Sequence, residues 1–309
     1  MSVEIRKVGN GVFIRYNGER YGLDKVPSKV GVNYNLISHA HIDHLPYKPS
    51  GKVLASEYTI KLASIRGYRY DNIVEEVKDV EAYDTGHILG STAFLIGGKI
   101  LYTGDINNLD RAFLKGFRPP QAEILIIEST YGSPSYVFGD FNQQVSRLLR
   151  FVSVNMVRGT NIVLRTHPLG KPQLITHLLR RVNNLYVTER IFKYNKVYTE
   201  AFRNYRSKVK IWRGVPDEEP FILIASTRED IERQYGEFDA IETRISGFMI
   251  NSRSGVAMSD HSDFQGLLNI VDKVDPIKIF TIFGYSKRFA EELKKYGYDA
   301  EALGDGYED

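Results

Sequence analysis

Residues 38–45 read S-H-A-H-I-D-H-L, and within them His39, His41, Asp43 and His44 crowd four potential metal ligands into six residues. The segment Y-N-L-I-S-H-A-H (34–41) has strand character, and two histidines at i and i+2 on a strand project to one face. A tight turn beyond the strand swings Asp43 and His44 toward the same point. Four ionisable groups this close are strongly disfavoured unless they hydrogen-bond to one another or share a cation. The stretch therefore predicts a metal centre built at a strand end.

Composition narrows what that centre can be. The 309-residue chain has no Cys, which removes disulfides, thiolate zinc sites, iron-sulfur clusters and cysteine nucleophiles together. Any metal must be held by nitrogen and oxygen, so the 7 histidines, His39, His41, His44, His87, His167, His177 and His261, carry most of the information. At 42% hydrophobic and 26% charged residues the chain can fill an interior, which excludes a disordered chain. Its apolar runs are all broken well before the roughly 20 residues a bilayer demands, so no membrane association is expected. The start, M-S-V-E-I-R-K-V-G-N, lacks a targeting signature, and a cytoplasmic protein is the expectation.

Further candidates sit at other strand ends. His87 lies in D-T-G-H-I-L-G-S (84–91), where Gly86 and Gly90 allow the backbone to turn closely around the imidazole. Asp105 ends K-I-L-Y-T-G-D (99–105), Glu128 ends A-E-I-L-I-I-E (122–128), and the apolar I-L-I-I predicts a central strand buried on both faces. Strand character also marks N-I-V-E-E-V-K (72–78), F-I-L-I-A-S-T (221–227) and G-F-M-I-N-S-R (247–253), and helical spacing marks S-E-Y-T-I-K-L-A-S-I-R-G-Y (56–68). From residue 161 to 189 a strand, a helix and a strand follow in a βαβ-like run, which has the character of an inserted domain.

Charge is divided along the same lines. Residues 1–140 hold 16 basic and 16 acidic side chains, residues 141–213 hold 15 and 2, and residues 214–309 hold 10 and 20. A middle segment of net +13 inside a chain of net +3 suggests a face for a polyanion, or a solvated surface balancing the acidic third segment. Its candidate nucleic-acid contacts are Arg180, Arg181, Arg190, Lys193 and Lys196, interleaved with Tyr186, Phe192 and Tyr194. Lys171 and His167, in the turn R-T-H-P-L-G-K-P-Q (165–173), are candidates for a phosphate contact, and His177 reads as structural.

The order H-A-H-I-D-H, D-T-G-H-I-L-G-S, T-G-D, E-S-T-Y-G resembles the metallo-β-lactamase superfamily, and E-S-T-Y-G with the later S-D-H-S-D (259–263) resembles its β-CASP nuclease branch. Within that branch the chain is most similar to exonuclease-like proteins associated with DNA ligase, and it also resembles RNA 3′-end processing factors. The resemblance implies an α/β fold, a metallo-β-lactamase αββα sandwich with an inserted smaller α/β (β-CASP) domain. The expected boundaries are 1–134 and 246–309 for the sandwich and 135–245 for the insertion. It also implies that His39, His41 and His87 hold a first zinc, that Asp43 and His44 hold a second, and that Asp105 bridges the two. Mn or Mg is a possible support for activity. Asp24, in Y-G-L-D-K-V (21–26), matches an acidic residue that braces such a site, and Glu128 pairs with His261.

The implied function is a metal-dependent nuclease, an exonuclease acting on DNA by attack of a metal-activated hydroxide. In it Asp43 orients the nucleophile and His261, fixed by Glu128, protonates the leaving oxygen. One departure concerns Phe283: RNA-directed relatives place a metal-binding His at that strand end, whereas Phe cannot ligate. That departure tilts the expectation toward DNA. The alternatives are an RNA-processing nuclease of the same family, a nucleic-acid-binding scaffold with weak or lost catalysis, and a thioester or lactam hydrolase. Expected partners are DNA or RNA, with DNA repair or RNA-processing proteins.

Overall fold

The computed structural model describes residues 3–205, 208–252 and 254–304. The chain folds into two compact units. The first comprises Met1–Leu109, Leu114–Ser135 and His261–Asp309, and the second Asp110–Phe113 with Tyr136–Asp260.

The first unit opens with an antiparallel meander of β1 (Glu4–Val8), β2 (Asn10–Tyr16) and β3 (Glu19–Lys25), to which β4 (Tyr34–Leu36) and β5 (Lys52–Leu54) add in parallel. Helix α1 (Glu57–Ile65) follows, its Ser56 cap accepting from the Thr59 amide. A second sheet begins with β6 (Val80–Asp84), β7 (Thr92–Ile96) and β8 (Ile100–Tyr102) in antiparallel order, with β9 (Ile124–Glu128) parallel to β8.

The chain then builds the second unit. Its strands β10 (Ile162–Thr166), β11 (Leu185–Val187), β12 (Lys210–Ile211), β13 (Ile222–Ser226), β14 (Ile241–Ile245) and β15 (Gly255–Val256) form a wholly parallel sheet in the order β12-β11-β13-β10-β14-β15. Its helices are α2 (Phe141–Val157), α3 (Lys171–Leu178), α4 (Glu189–Ala201) and α5 (Ile231–Tyr235). Asp140 and Gln143 form a capping box at the start of α2, which presents Leu148 and Val152 to the core. Parallel sheets need cover on both faces. Ile162, Leu164, Ile222 and Ile224 pack with α2 and α3, while Val163, Leu223 and Ala225 pack on the opposite side with Trp212 and Phe221.

The chain returns to the first unit with α6 (Phe264–Val274), β16 (Lys278–Ile282), α7 (Ser286–Lys295) and β17 (Ala300–Ala302), giving the second sheet the order β17-β16-β9-β8-β7-β6. Period-two alternation then sorts its side chains. Phe94, Ile96, Ile100, Tyr102 and Ile126 join Ile14, Leu23 and Leu36 of the first sheet in one buried cluster. Ala93, Leu95, Leu101, Leu125 and Ile127 face the other way, onto Leu267 and Val271 of α6 and Phe289 and Leu293 of α7. Both faces of β9 are therefore dry, which is why I-L-I-I carries no polar alternation. The result is a mixed α/β fold of the αββα-sandwich kind together with a smaller α/β unit.

Several local expectations are corrected. The strand before the histidines ends at Leu36, so His39 and His41 lie on the following loop rather than on a strand. N-I-V-E-E-V-K forms only an isolated bridge between Val53 and Ile73, and the strand is Val80–Asp84 instead. Ile73 stays exposed, so its alternation finds no partner to pack against. G-F-M-I-N-S-R contains a 3-10 turn at Gly247–Asn251, and its Arg253 lies outside the described residues. The second unit runs to Asp260, past 245, because β14 pairs with β15. Among the described residues no helix is long and apolar enough to cross a membrane.

Phe94 is 1% exposed between the two sheets of the first unit. Phe94→Ala is expected to cost about 3–5 kcal/mol in a urea titration, as a core aromatic truncation does; a loss under about 1 kcal/mol would contradict this packing.

Candidate metal centre

The loops that leave the strand ends of the first unit carry the chemistry. After β4 the chain passes through Ser38 and His39, bends at Ala40 and then closes a turn, with the His44 amide donating to the His41 carbonyl at 3.0 Å. His87 comes from the loop after β6, where Gly86 has φ +66° and a Cβ would lie 2.3 Å from the Lys115 carbonyl oxygen. No other residue type fits that approach. Asp105 follows β8 through Gly104, where a Cβ would lie 2.6 Å from Ser38 Cβ. Glu128 is the last residue of β9, and His261 precedes the α6 cap Asp263.

These loops converge. His39 Nε2 and His41 Nδ1 are 3.0 Å apart, and His87 Nε2 and His41 Nδ1 are 3.1 Å apart. Asp105 Oδ2 lies 3.2 Å from His39 Nε2, 3.5 Å from both His44 Nε2 and His87 Nε2, and 3.9 Å from His261 Nε2. Two ligands on a tetrahedral zinc at 2.0–2.1 Å would sit about 3.3 Å apart. The donor set His39, His41, His87 and Asp105, all buried and with ligand atoms within 4.8 Å of one another, therefore fits such an ion. A second group, Asp105, Glu128 and His261, also brings its ligand atoms within 4.8 Å of one another, so the two clusters are positioned for one or two divalent cations.

Tautomers follow from the hydrogen bonds behind the ligands. Asp24, wholly buried at the end of β3 with φ +59°, accepts from the Ser38 amide at 2.6 Å through Oδ1. Its Oδ2 accepts from Ser38 Oγ at 2.8 Å, from the Tyr102 hydroxyl at 2.5 Å and from His44 Nδ1 at 2.8 Å. Since the Ser38 hydroxyl proton goes to Asp24, Ser38 Oγ can only accept from His39 Nδ1, 2.9 Å away. One carboxylate thus fixes two imidazoles, one directly and one through a hydroxyl, and turns both Nε2 atoms toward the site.

Glu128 does the same for His261. Its Oε1 accepts from His261 Nδ1 at 2.8 Å and from the Ile106 amide at 2.9 Å, and its Oε2 accepts from the Thr130 amide at 3.1 Å. Ser262 ties the His261 loop to the Asp105 loop through the Ile106 carbonyl and the Asn108 amide.

Electrostatics answer to the crowding. Burial raises the Asp105 carboxyl, but His44, His39 and His261 outweigh it and hold the group well below the usual carboxylate range. Burial likewise opposes charge on His44, yet Asp105 and Asp24 push it up to about 10. Asp43 reaches the rim with its side chain 67% exposed and its Oδ2 3.9 Å from His44 Nε2. Desolvation raises it, and the His44 charge brings it below the ordinary value. Phe283, at φ +60°, sets its ring edge-on to His44 at 5.2 Å and offers that side of the site no ligand.

The nucleic-acid candidates behave differently from one another. Arg190, Lys193 and Lys196 are exposed along α4, although Lys193 pairs with Glu189. Arg180 is half-buried and Arg181 exposed after α3. Lys171 leaves this surface: it is buried, with its ammonium 3.1 Å from Asp260. Tyr186 and Tyr194 are core residues and Phe192 packs against the core, so burial rather than stacking accounts for them. His167 is exposed, and His177 lies edge-on to Phe113 and stacked on Tyr205 within the second unit. Reading the sequence missed Ser38, Tyr102 and Ser262. Ser38 is flagged only by adjacency, and Tyr102 meets Asp24 across 78 residues.

Comparison with known proteins agrees with this geometry. A probable DNA ligase of Opitutus terrae is 28% identical over 88% of this chain and 29% of its own length. An RNase J-like protein of Methanocaldococcus jannaschii is 27% identical over 58% of the chain and 49% of its own length. Cleavage and polyadenylation specificity factor subunit 3 of Dictyostelium discoideum is 40% identical over 25% of the chain and 11% of its own length. The chain belongs to the metallo-β-lactamase superfamily, in its β-CASP nuclease family. It spans less than half the length of these three relatives, and no family model matches it. A solved Enterococcus faecalis V583 protein of unknown function shares the fold, with a TM-score of 0.60 at 11% identity, covering 90% of this chain and 93% of that one.

Two measurements bear on this β-CASP metal centre. Ser38→Ala removes the acceptor that fixes His39, and a chelator competition should show metal affinity falling about 10–100-fold with the fold retained; unchanged affinity would refute the relay. Because His44 stays protonated at neutral pH without metal, a cation that takes Nε2 must expel a proton. Calorimetry in buffers of different ionisation enthalpy should therefore register proton release near neutral pH that fades above about 10.

Proposed function

We propose that the chain is a metal-dependent nuclease that hydrolyses phosphodiester bonds of nucleic acid, with RNA as the first substrate to test. The observation that carries this reading is the Glu128–His261 pair at 2.8 Å, set with His261 Nε2 3.9 Å from the Asp105 oxygen shared by the cluster. A hydrolase of small thioesters or lactams has no evident need for a second oriented imidazole, whereas a poor alkoxide leaving group does.

In this reading His39, His41, His87 and Asp105 hold one cation, and Asp43, His44 and Asp105 a second. Zinc suits the nitrogen-rich set, with manganese or magnesium as substitutes at the more carboxylate-rich one. Divalent cations there would lower the pKa of water and offset charge developing on the phosphoryl oxygens. Asp43, at the rim, orients the attacking water. Glu128 keeps the Nδ1 proton of His261 engaged, so the imidazolium gives its Nε2 proton to the leaving oxygen as the P–O bond breaks. Asp24 and Ser38 position ligands without touching substrate.

The names of two relatives, an RNase J-like protein and a cleavage and polyadenylation factor subunit, support RNA. DNA is the second reading, favoured by the probable DNA ligase match and by Phe283 in the place of a histidine. The reading keeps the expectation of a cytoplasmic protein that works alongside RNA-processing or DNA-repair proteins.

Metal-loaded protein should cleave end-labelled RNA or DNA, and comparison with circular substrates should separate exonuclease from endonuclease action. Asp105→Asn should abolish cleavage while retaining binding. His261→Ala should lower kcat by roughly 10²–10⁴-fold with KM little changed. No cleavage of either polymer with zinc, manganese or magnesium would sink the proposal.

A further inference from the structure

The second unit carries a basic hollow that neither the fold nor the metal centre explains. It is an open depression of about 800 Å³ lined by Arg180, Arg181, Asn183, Lys208, Lys210 and Glu218, among others. The cations come from two separate segments: Arg180 and Arg181 lie between α3 and β11, and Lys208 and Lys210 lie at the start of β12. All of them sit at the amino ends of the parallel strands β11 and β12. In open parallel sheets, ligands of the main site gather at the carboxyl ends. In this sheet that opposite edge holds His167 after β10 and leads on from β15 to Asp260.

Structural reasons account for part of the charge. Arg180 donates to the His177 carbonyl at 2.8 Å at the end of α3, where a cation suits the helix dipole. Lys210 lies over the Tyr186 ring at 5.4 Å and 3.7 Å from Glu218, a long and exposed pairing. Arg181 and Lys208 are exposed and, among the described residues, have neither ion pair nor hydrogen bond. Four cations around one concavity with a single lining carboxylate repel one another, and concave walls focus the resulting field.

We infer that this hollow is an anchoring site for the phosphate backbone of a nucleic-acid strand, separate from the carboxyl edge of its sheet. The inference rests on the nuclease reading and adds the place where the second unit grips the polymer. Successive phosphates are the ligand that fits: they supply several negative charges at short spacing, and flexible Lys and Arg side chains follow them without reading bases. RNA and DNA share this chemistry.

The test is binding of short labelled RNA and DNA single strands with phosphorothioate backbones to metal-loaded protein, followed by anisotropy across a salt series. In Arg181→Glu/Lys208→Glu the slope of log K against log salt should shrink by about 1.4 relative to wild type, two phosphate contacts at about 0.7 each. Affinity at low salt should fall at least about tenfold. Lys287→Glu/Lys294→Glu, two exposed changes on α7 that alter net charge by the same amount, controls for net charge and should leave the slope in place. Thermal unfolding of each variant shows that the fold is kept. An unchanged slope in Arg181→Glu/Lys208→Glu, or the same loss in the control variant, overturns the inference; if wild type still cleaves in that case, the nuclease reading stands. If wild type neither binds nor cleaves any strand, both fail.

Discussion

A single buried carboxylate holds the centre in register. Asp24 leaves β3 in a left-handed backbone conformation that Asp adopts more readily than most residues. From there it accepts four hydrogen bonds: two from Ser38, one from His44 and one from Tyr102 of β8. Tyr102 belongs to the second sheet and Asp24 to the first, so the same group joins the two sheets at the point where the ligand loops emerge. A buried carboxylate is costly unless its lone pairs are filled, and here they are filled by the groups whose orientation the centre needs.

That arrangement explains how so many like groups coexist without water. Asp105 presents one oxygen to four imidazole nitrogens from three loops, and its depressed pKa and the raised pKa of His44 have the same origin in mutual attraction. The charge on His44 offsets the buried Asp105 and Asp24 carboxylates. A divalent ion at the same place removes the need for the His44 proton and reverses the local balance. The hydrogen-bonded shell behind the ligands is the part that does not change, because it contacts only the nitrogens turned away from the site.

How much of this was legible in the sequence depended on distance along the chain. His39, His41, Asp43 and His44 announce themselves because their crowding has almost no other physical use. His87, Asp105, Glu128 and His261 were legible only as residues at strand ends, joined by resemblance to a known order of motifs. The partnership of Ser38 with Asp24 and that of Tyr102 with the same carboxylate had no local signature. Each is a contact between residues whose separate environments look ordinary. Strand edges failed for a related reason: N-I-V-E-E-V-K alternates well, but alternation stabilises a strand only where a neighbour covers its apolar side, and Ile73 has none. The aromatic residues of the basic segment show the converse. Their interleaving with Arg and Lys resembled a stacking surface, whereas Tyr186 of β11 and Tyr194 of α4 are buried in the core of the second unit.

The two halves of the centre are unequal, and Phe283 shows why that matters. His39, His41, His87 and Asp105 already supply four donors at tetrahedral spacing, so a cation there has no free position in a closed four-coordinate site. Hydrolysis needs a position open to water or to a phosphoryl oxygen. In the proposed assignment it would lie on the side of His44 and Asp43, where the Asp43 side chain is exposed and the ring of Phe283 occupies space without donating a lone pair. An imidazole at that position would complete a second closed shell. The apolar ring withholds that ligand. In the proposed nuclease a second cation on this side would therefore be held by fewer protein donors than the first, which follows from the chemistry at residue 283.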